Sequence, residues 1–168
     1  MSTVALKTRG LAMPEGVALE VGGKDIAQLC REGDYVVRGS IRILIRSGVL
    51  KSSAERRTVQ VVPLSITKPM YPDDIDTLVS TQGLSPLTPE EFLTYVATHR
   101  MALRLGPRDC YFSPVLITMS VHDQATDSGF RKHGWLTVAM APNRDRHLCI
   151  PDRCAVCLWT GVALTKVS

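Results

Sequence analysis

Hydrophobic and polar residues alternate along residues 35–46, and this alternation predicts the clearest strand of the chain. One side of the predicted strand is apolar and the other carries three arginines at intervals of four residues, because successive side chains of a strand point to opposite faces. The apolar side comprises Tyr35, Val37, Ile41, Ile43 and Ile45, and the opposite side comprises Val36, Arg38, Ser40, Arg42, Leu44 and Arg46.

Apolar patterns elsewhere predict four further strands and three short helices. The strands cover residues 58–67, 114–122, 135–141 and 154–167, and the first of them contains Pro63. Because proline cannot donate a hydrogen bond to a neighbouring strand, that strand is expected at an edge or at a bulge. Apolar residues at helical spacing predict helices over 25–32, with Gly33 as its stop, and over 72–80.

The third helix has the strongest start signal in the sequence. Thr88 suits the N-cap, Pro89 the first turn, and Glu91 can close a capping box with Thr88. Strands at both ends of the chain with helices between them predict an α+β fold, a mainly antiparallel sheet with two or three short helices packed on it. Residues 1–24 are expected to form a flexible arm, and residues 25–168 a single α+β domain.

Composition indicates a globular protein and sets limits on its location. The chain has 168 residues, of which 45% are hydrophobic and 21% charged. No stretch approaches the roughly 18 uncharged apolar residues of a membrane span, and the N-terminus lacks the apolar region of a signal peptide. The odd count of five cysteines then indicates free thiols in a reducing compartment, so the protein is expected to be intracellular, in the cytoplasm or nucleus.

Positive charge is concentrated in residues 38–57. The formal net charge of +4 is modest, but this segment holds six basic residues and one acid, Glu55. Arginine presents a planar fork of donors suited to phosphate oxygens, so the segment predicts binding to nucleic acid or to anionic membrane headgroups. This interpretation requires residues 35–46 to be extended, with the arginines about 13 Å apart on one face. The basic residues are Arg38, Arg42, Arg46, Lys51, Arg56 and Arg57.

The balance of charge reverses between residues 71 and 98, which contain acids but no lysine or arginine. An acidic and a basic surface on one small protein could meet between copies and build a head-to-tail homo-oligomer. Alternatively, the basic residues form a solvated face and the acids stabilise the N-terminal ends of helices. The predicted acidic surface comprises Asp73, Asp74, Asp76, Glu90 and Glu91.

A cluster of metal-binding residue types gives an alternative function, a zinc-stabilised binding module. His147, Cys149, Cys154 and Cys157 lie within eleven residues and include one C-x-x-C pair. Structural zinc needs four such ligands, usually from two separated pairs, and the sequence has no second pair. The opposing interpretation is a buried strand in which Cys154 and Cys157 point to opposite faces.

No complete catalytic motif is present, so the sequence predicts a non-enzymatic protein without a small-molecule substrate. Gly22-Gly23-Lys24 resembles the end of a phosphate-binding loop, but Gly16 is mis-spaced and Asp25 replaces the Ser or Thr that binds magnesium. The pair His122-Asp123 and an isolated nucleophilic cysteine are weaker alternatives, since sequence gives neither a partner.

The basic segment 34–47, followed by a mid-chain helix and C-terminal strands, resembles the small matrix proteins of rhabdoviruses. The resemblance covers the order of elements over residues 34–167. It implies a non-catalytic virion protein that self-associates, condenses nucleocapsid and lies against membrane. The chain departs from that family in its N-terminal arm, which is barely basic, and in lacking a proline-rich budding motif.

Overall fold

The computed structural model describes residues 16–100, 110–123, 128–140, 145–150 and 159–168. These residues form four helices and eight strands, which confirms the predicted α+β fold. The helices are α1 (Ile26–Gly33), α2 (Gly39–Arg46), α3 (Pro72–Thr81) and α4 (Pro89–Thr98). The strands are β1 (Val17–Val21), β2 (Val36–Val37), β3 (Arg57–Met70), β4 (Leu84–Pro86), β5 (Cys110–Asp123), β6 (Ser128–Met140), β7 (Arg146–Cys149) and β8 (Trp159–Val167).

The described strands form one sheet in the order β1-β3-β8-β5-β6-β7-β2, and β4 also pairs with β8. Neighbours are antiparallel except for two short parallel contacts, β5 with β8 and β2 with β7. The central antiparallel pairing runs from Val61 opposite Lys166 to Met70 opposite Trp159, with a register shift after Ile66. The sheet is therefore mostly antiparallel, as the sequence predicted.

Apolar residues are buried on both faces of the sheet. Successive residues of β3, Val61 and Val62, belong to different hydrophobic clusters, as expected when side chains alternate between faces. The cluster that contains Val61 includes buried residues of α1, α2 and α4. The cluster that contains Val62 includes Ile75 and Val79 of α3. Helices α1, α2 and α4 therefore cover one face and α3 covers the other.

Helix α4 starts as the sequence predicted. The Thr88 hydroxyl accepts a hydrogen bond from the Glu91 backbone N–H, and the Glu91 carboxylate accepts one from the Thr88 N–H. Pro89 is at the first helical position, where its missing N–H costs nothing. The helix packs into the core through Phe92, Leu93 and Val96.

The predicted strand over residues 35–46 is wrong. Only Val36–Val37 forms a strand, pairing in parallel with β7, and α2 begins two residues later. Within α2, Ile41 and Leu44 are fully buried while Ile43 is 46% exposed. This is the i, i+3 pattern of a helix that covers a core, and it contradicts the alternation on which the strand was based.

Part of the predicted N-terminal arm also belongs to the sheet. Val17–Val21 pairs antiparallel with β3, and Leu19 and Val21 are buried in the core. Residues 1–15 lie outside the described residues. At the end of α1 the left-handed residue is Asp34, with φ 54°, and not the predicted stop Gly33. Gly33 is instead packed so closely against the Tyr35 ring that a Cβ would collide with it.

Pro63 lies in an interior strand, but at a position that tolerates proline. Strand β3 is between β1 and β8, so it is not at the edge of the sheet. Its register with β8 shifts between Ile66 and Met70, as the alternative prediction of a bulge allowed, although Pro63 itself pairs with Leu164 in regular register. The last residue of β3 that pairs with the described part of β1 is Val61. Pro63 therefore needs no N–H for a bond to β1.

None of the described helices combines the length and the apolar character needed to cross a membrane.

Candidate functional site

Two of the predicted phosphate-binding arginines lie on the outward side of α2. Arg42 and Arg46 are exposed, and Ile43 between them in sequence is also exposed. Residues four apart on a helix are neighbours, with Cβ atoms about 6 Å apart, less than half of the 13 Å expected for a strand. The predicted row of arginines on a strand is thus replaced by a compact pair beside an exposed isoleucine. Arg38 is exposed at the N-cap of the same helix.

The turn after α2 extends this surface. Gly48 has φ 70°, and the chain closes on the helix through hydrogen bonds from the Val49 and Leu50 N–H groups to the Leu44 carbonyl. Leu50 is buried, whereas Val49 is 51% exposed. The Lys51 side chain lies against Gly48, its Cε 3.7 Å from the position of a Cβ there. We refer to Arg42, Ile43, Arg46, Val49 and Lys51 together as the basic–apolar face.

The cations of the basic–apolar face are not used in internal contacts within the described residues. No hydrogen bond or ion pair there engages the side chains of Arg42, Arg46 or Lys51. An unpaired exposed guanidinium is fully hydrated and keeps its donors available for an external anion. The charge of this face is therefore free to act on a partner.

The other two predicted basic residues lie elsewhere. Arg56 is exposed beside the turn between β1 and α1, where its Nε is 3.4 Å from the position of a Cβ on Gly23. Arg57 points to α4, and its Nη2 donates to Glu90 at 3.1 Å and to Glu91 at 3.3 Å. The six residues that are close in sequence thus do not form one surface, and Arg57 serves an internal ion pair.

Glu90 and Glu91 are buried, so their placement on an acidic surface was wrong. They are 5% and 1% exposed, and Glu91 receives both a bidentate contact from the Lys166 Nζ, at 2.8 and 2.9 Å, and the Arg57 bond. Glu90 also accepts a hydrogen bond from the Ser53 backbone N–H at 2.8 Å. We call Arg57, Glu90, Glu91 and Lys166 the ion cluster.

The ion cluster holds Glu91 in its ionised form. Burial alone would raise the pKa of the Glu91 carboxyl, but hydrogen bonds from Lys166, the Thr88 backbone and Arg57 outweigh burial and lower that pKa below its usual value. Two carboxylates face two cations, so the cluster is close to neutral. Such a balanced, internal arrangement joins β3, α4 and β8.

The remaining predicted acids lie at the start of α3. Asp73, Asp74 and Asp76 are exposed, and the first two are in the first helical turn, where they stabilise the helix dipole. Burial raises the pKa of Asp76, and the nearby Asp73 raises it further. Because α3 and α2 cover opposite faces of the sheet, these acids are separated from the basic–apolar face by the sheet.

Half of the predicted zinc ligands can be located. His147 and Cys149 are two residues apart on β7, so they share one side of that strand, while Leu148 between them is buried. Cys154 and Cys157 lie outside the described residues. Within the described part of the chain, no three His, Cys, Asp or Glu side chains are grouped so that they could hold a metal ion.

Two of the side chains relevant to catalysis, Cys30 and His99, are described in detail. Burial raises the pKa of the Cys30 thiol to about 11, with Arg31 lowering it and Asp25 raising it, so the thiol is protonated at neutral pH. A protonated thiol is a poor nucleophile. His122 and Asp123 end strand β5 opposite Gly129 and Ser128. His99 caps the end of α4, and its Nε2 is buried with no hydrogen-bond partner among the described residues.

Ile43 and Val49 are surface residues that the sequence pattern did not indicate. The predicted strand has Ile43 on its apolar side, although the buried Ile41 and Leu44 and the partly buried Ile45 have the i, i+3, i+4 spacing of a helix. Applying that spacing would have put Ile43 outside.

Comparison of the chain with known proteins finds no matching family model, no matching curated protein and no matching solved structure. The resemblance to rhabdovirus matrix proteins stays a prediction. The basic strand on which it partly depended is helix α2 from Gly39 onward.

Proposed function

We propose that this protein is a non-catalytic interaction protein that binds anionic membrane surfaces through its basic–apolar face. The supporting observation is that Ile43 projects outward beside Arg42 and Arg46 instead of packing into the core. An exposed isoleucine next to two unpaired arginines matches the two components of an anionic membrane interface, namely headgroup phosphates and the acyl boundary.

Nucleic acid would use the arginines equally well but not the apolar residues. Basic side chains bind the phosphate backbone of nucleic acid favourably because counterions are released, but the backbone has no apolar layer that Ile43 or Val49 could contact. At a bilayer, by contrast, burying their exposed apolar area contributes about 25 cal/mol per Å2. The composition of the face therefore favours membrane over nucleocapsid, and binding to nucleic acid is the competing outcome.

The proposed self-association uses the same face as membrane binding. Each basic residue near an anionic leaflet contributes about 1 kcal/mol, so Arg42, Arg46 and Lys51 of one copy together give only weak binding. The acids of α3 lie on the opposite face of the sheet from α2, which suits head-to-tail contacts in which these acids meet the basic–apolar face of the next copy. A copy held in this way does not present that face to a membrane, so self-association and membrane binding compete. In this proposal the protein is intracellular and matrix-like, acting at the anionic cytoplasmic leaflet.

Vesicle binding tests the membrane proposal. We expect binding to vesicles that contain phosphatidylserine, no binding to pure phosphatidylcholine, and weakening as salt rises. Ile43→Ser and Arg42→Gln should each reduce binding, whereas the matched controls Val167→Ser and Arg31→Gln, at exposed sites elsewhere, should not. Full binding by Ile43→Ser together with salt-dependent binding to an RNA oligonucleotide would replace the membrane proposal with a nucleic-acid one.

Analytical ultracentrifugation tests self-association. A head-to-tail contact predicts a distribution of oligomers that grows with protein concentration and shrinks with salt. Asp76→Asn and Arg46→Gln should each reduce the fraction of oligomers, because each removes one side of the same contact. A single monomer species at high concentration and low salt would reject this part of the proposal while leaving vesicle binding untouched.

The zinc-stabilised module is the second candidate, supported by the shared orientation of His147 and Cys149 on β7. With Cys154 and Cys157, these residues would provide the imidazole and thiolates that structural zinc prefers. Elemental analysis of the purified protein decides this candidate. One zinc per chain and loss of stability with a chelator are expected if it is right, and metal-free protein of unchanged stability rejects it.

A further inference from the structure

The turn between β1 and α1 forms one wall of a polar cleft of about 680 Å3 that the proposed membrane face does not use. The start of β3, which pairs with the end of β1, lines the same cleft. Only Val21 among the lining residues is apolar, and the volume lies in the range of small-molecule sites. The lining residues are Glu20, Val21, Gly22, Gly23, Lys24, Gln28, Arg56, Arg57 and Thr58.

Two glycines let the turn pack closely against the segment before β3. Gly22 and Gly23 have φ values of 108° and 77°, a region that favours glycine. A Cβ on Gly22 would collide with the Glu55 carbonyl oxygen, whereas one on Gly23 would be in ordinary van der Waals contact with the Arg56 guanidinium. The Gly23 N–H bonds to the Ser53 carbonyl at 3.0 Å, which fixes the turn against that segment. The Arg56 side chain therefore lies beside a turn whose two glycines carry no side chains.

The basic side chains around the cleft differ in whether they already have an anionic partner. Arg57 is neutralised by Glu90 and Glu91 in the ion cluster. The Lys24 Nζ contacts Glu32 at 2.6 Å, and the Gln28 amide donates to the same carboxylate at 2.9 Å, which orients both side chains. An ammonium has three donors, so Lys24 keeps two for a ligand. Arg56 has no hydrogen bond or ion pair within the described residues.

Positive charge at the start of α1 is already balanced. The Asp25 carboxylate caps the helix by accepting from the Gln28 backbone N–H at 2.6 Å. A ligand anion must therefore bind to the side chains of Arg56 and Lys24 and not to the helix end. Glu20 on the β1 wall would repel a second anionic group and could accept a hydrogen bond from a hydroxyl or amine.

We propose that this cleft binds a small phosphomonoester, with its phosphate between Arg56 and Lys24 above Gly23 and its hydroxyl-bearing body toward Glu20. The guanidinium fork of Arg56 matches two phosphate oxygens, which a neutral sugar or an apolar ligand could not exploit. This site is separate from the basic–apolar face and does not depend on the proposed membrane function.

Titration of the 168-residue chain with glycerol 3-phosphate, inorganic phosphate and glycerol tests the site by NMR. Glycerol 3-phosphate should shift the amide signals of Gly22, Gly23 and Lys24 in a saturable way, inorganic phosphate should do so more weakly, and glycerol should not. Arg56→Gln should weaken binding at least about tenfold, since a charge-assisted hydrogen bond is lost. Arg56→Lys should retain part of the affinity.

The matched control is Arg42→Gln, which removes an exposed arginine from the basic–apolar face and should leave glycerol 3-phosphate binding unchanged. Equal loss in both variants would show a nonspecific charge effect and overturn the site. Absence of saturable shifts with either phosphate would also overturn it, and so would unaltered affinity in Arg56→Gln. Vesicle binding of Arg56→Gln should stay intact, which separates this test from that of the proposed function.

Discussion

Arginine serves opposite purposes at the ion cluster and at the basic–apolar face. Arg57 lies between two buried carboxylates, and Lys166 completes a nearly neutral internal group. Arg42 and Arg46 are exposed beside Ile43 and have no anionic partner in the described structure. A charge that is paired inside the fold destabilises the protein when its partner is removed, whereas an unpaired exposed charge is available to a binding partner. Counting charges along the sequence therefore does not locate a binding surface.

The largest expected effect on stability comes from Glu91→Gln. Removing this buried carboxylate leaves Lys166 and Arg57 without their shared partner, and we expect a loss of about 3 kcal/mol in the free energy of unfolding. Urea denaturation measures the loss, with the exposed Glu55→Gln as the matched control, expected to change stability by less than about 0.5 kcal/mol. Equal effects of both substitutions would contradict the assignment of the cluster as a stabilising one.

Acid should weaken the ion cluster, because protonation neutralises the Glu91 carboxylate. The pKa of Glu91 is lowered on folding from its ordinary 4.5, so ionised Glu91 stabilises the fold above that pH. This contribution is lost as the pH falls through the lowered folded-state pKa. We therefore expect stability to drop in acid, and to drop less steeply in Glu91→Gln. Parallel pH profiles of the two proteins would refute this role for Glu91.

A smaller effect is expected from the helix cap that orients Glu91. Thr88→Ala removes the hydroxyl that accepts from the Glu91 N–H and should cost about 1 kcal/mol. Thr88→Ser keeps the hydroxyl and should lose much less. Thermal unfolding of both variants checks the prediction, and equal losses would indicate that packing of the threonine methyl group matters more than the cap.

The smallest stability effect is expected at the basic–apolar face. The double substitution Arg42→Gln and Arg46→Gln should change the free energy of unfolding by no more than about 0.5 kcal/mol, because neither side chain has an internal partner. The same protein should lose binding to anionic vesicles. A destabilisation comparable to that of Glu91→Gln would show that these arginines are structural, and the contrast between the two regions would fail.

Local chemistry explains which elements the sequence predicted correctly. The start of α4 depends on a threonine, a proline and a glutamate within four residues, and its capping box forms as expected. Helix α3 begins at Pro72 for the same kind of reason, with acids in its first turn. Strand β3 contains the predicted 58–67 run, since alternating β-branched residues match a sheet surface. Signals of this kind act between near neighbours and need no knowledge of the rest of the fold.

The segment 35–46 was mispredicted because its sequence suits both a strand and a helix. Residues 41, 43 and 45 alternate, but residues 41, 44 and 45 have helical spacing. A spacing of four also aligns arginines in either case, as four is a multiple of two and close to 3.6. The arginines therefore stay on one side although the element changed. The packing of this segment against the core determined that it is a helix, because Leu44 is buried there and Ile43 is exposed.

Neighbouring residues are sufficient to predict the α+β class, the capped start of α4 and the presence of a basic segment. Which partner each charged side chain contacts depends on the tertiary structure. Arg57 meets Glu90 across 33 positions of sequence and Lys166 meets Glu91 across 75. It also brought Gly23 beside Arg56. Such pairings arise from the order of strands in the sheet, and no local pattern encodes that order.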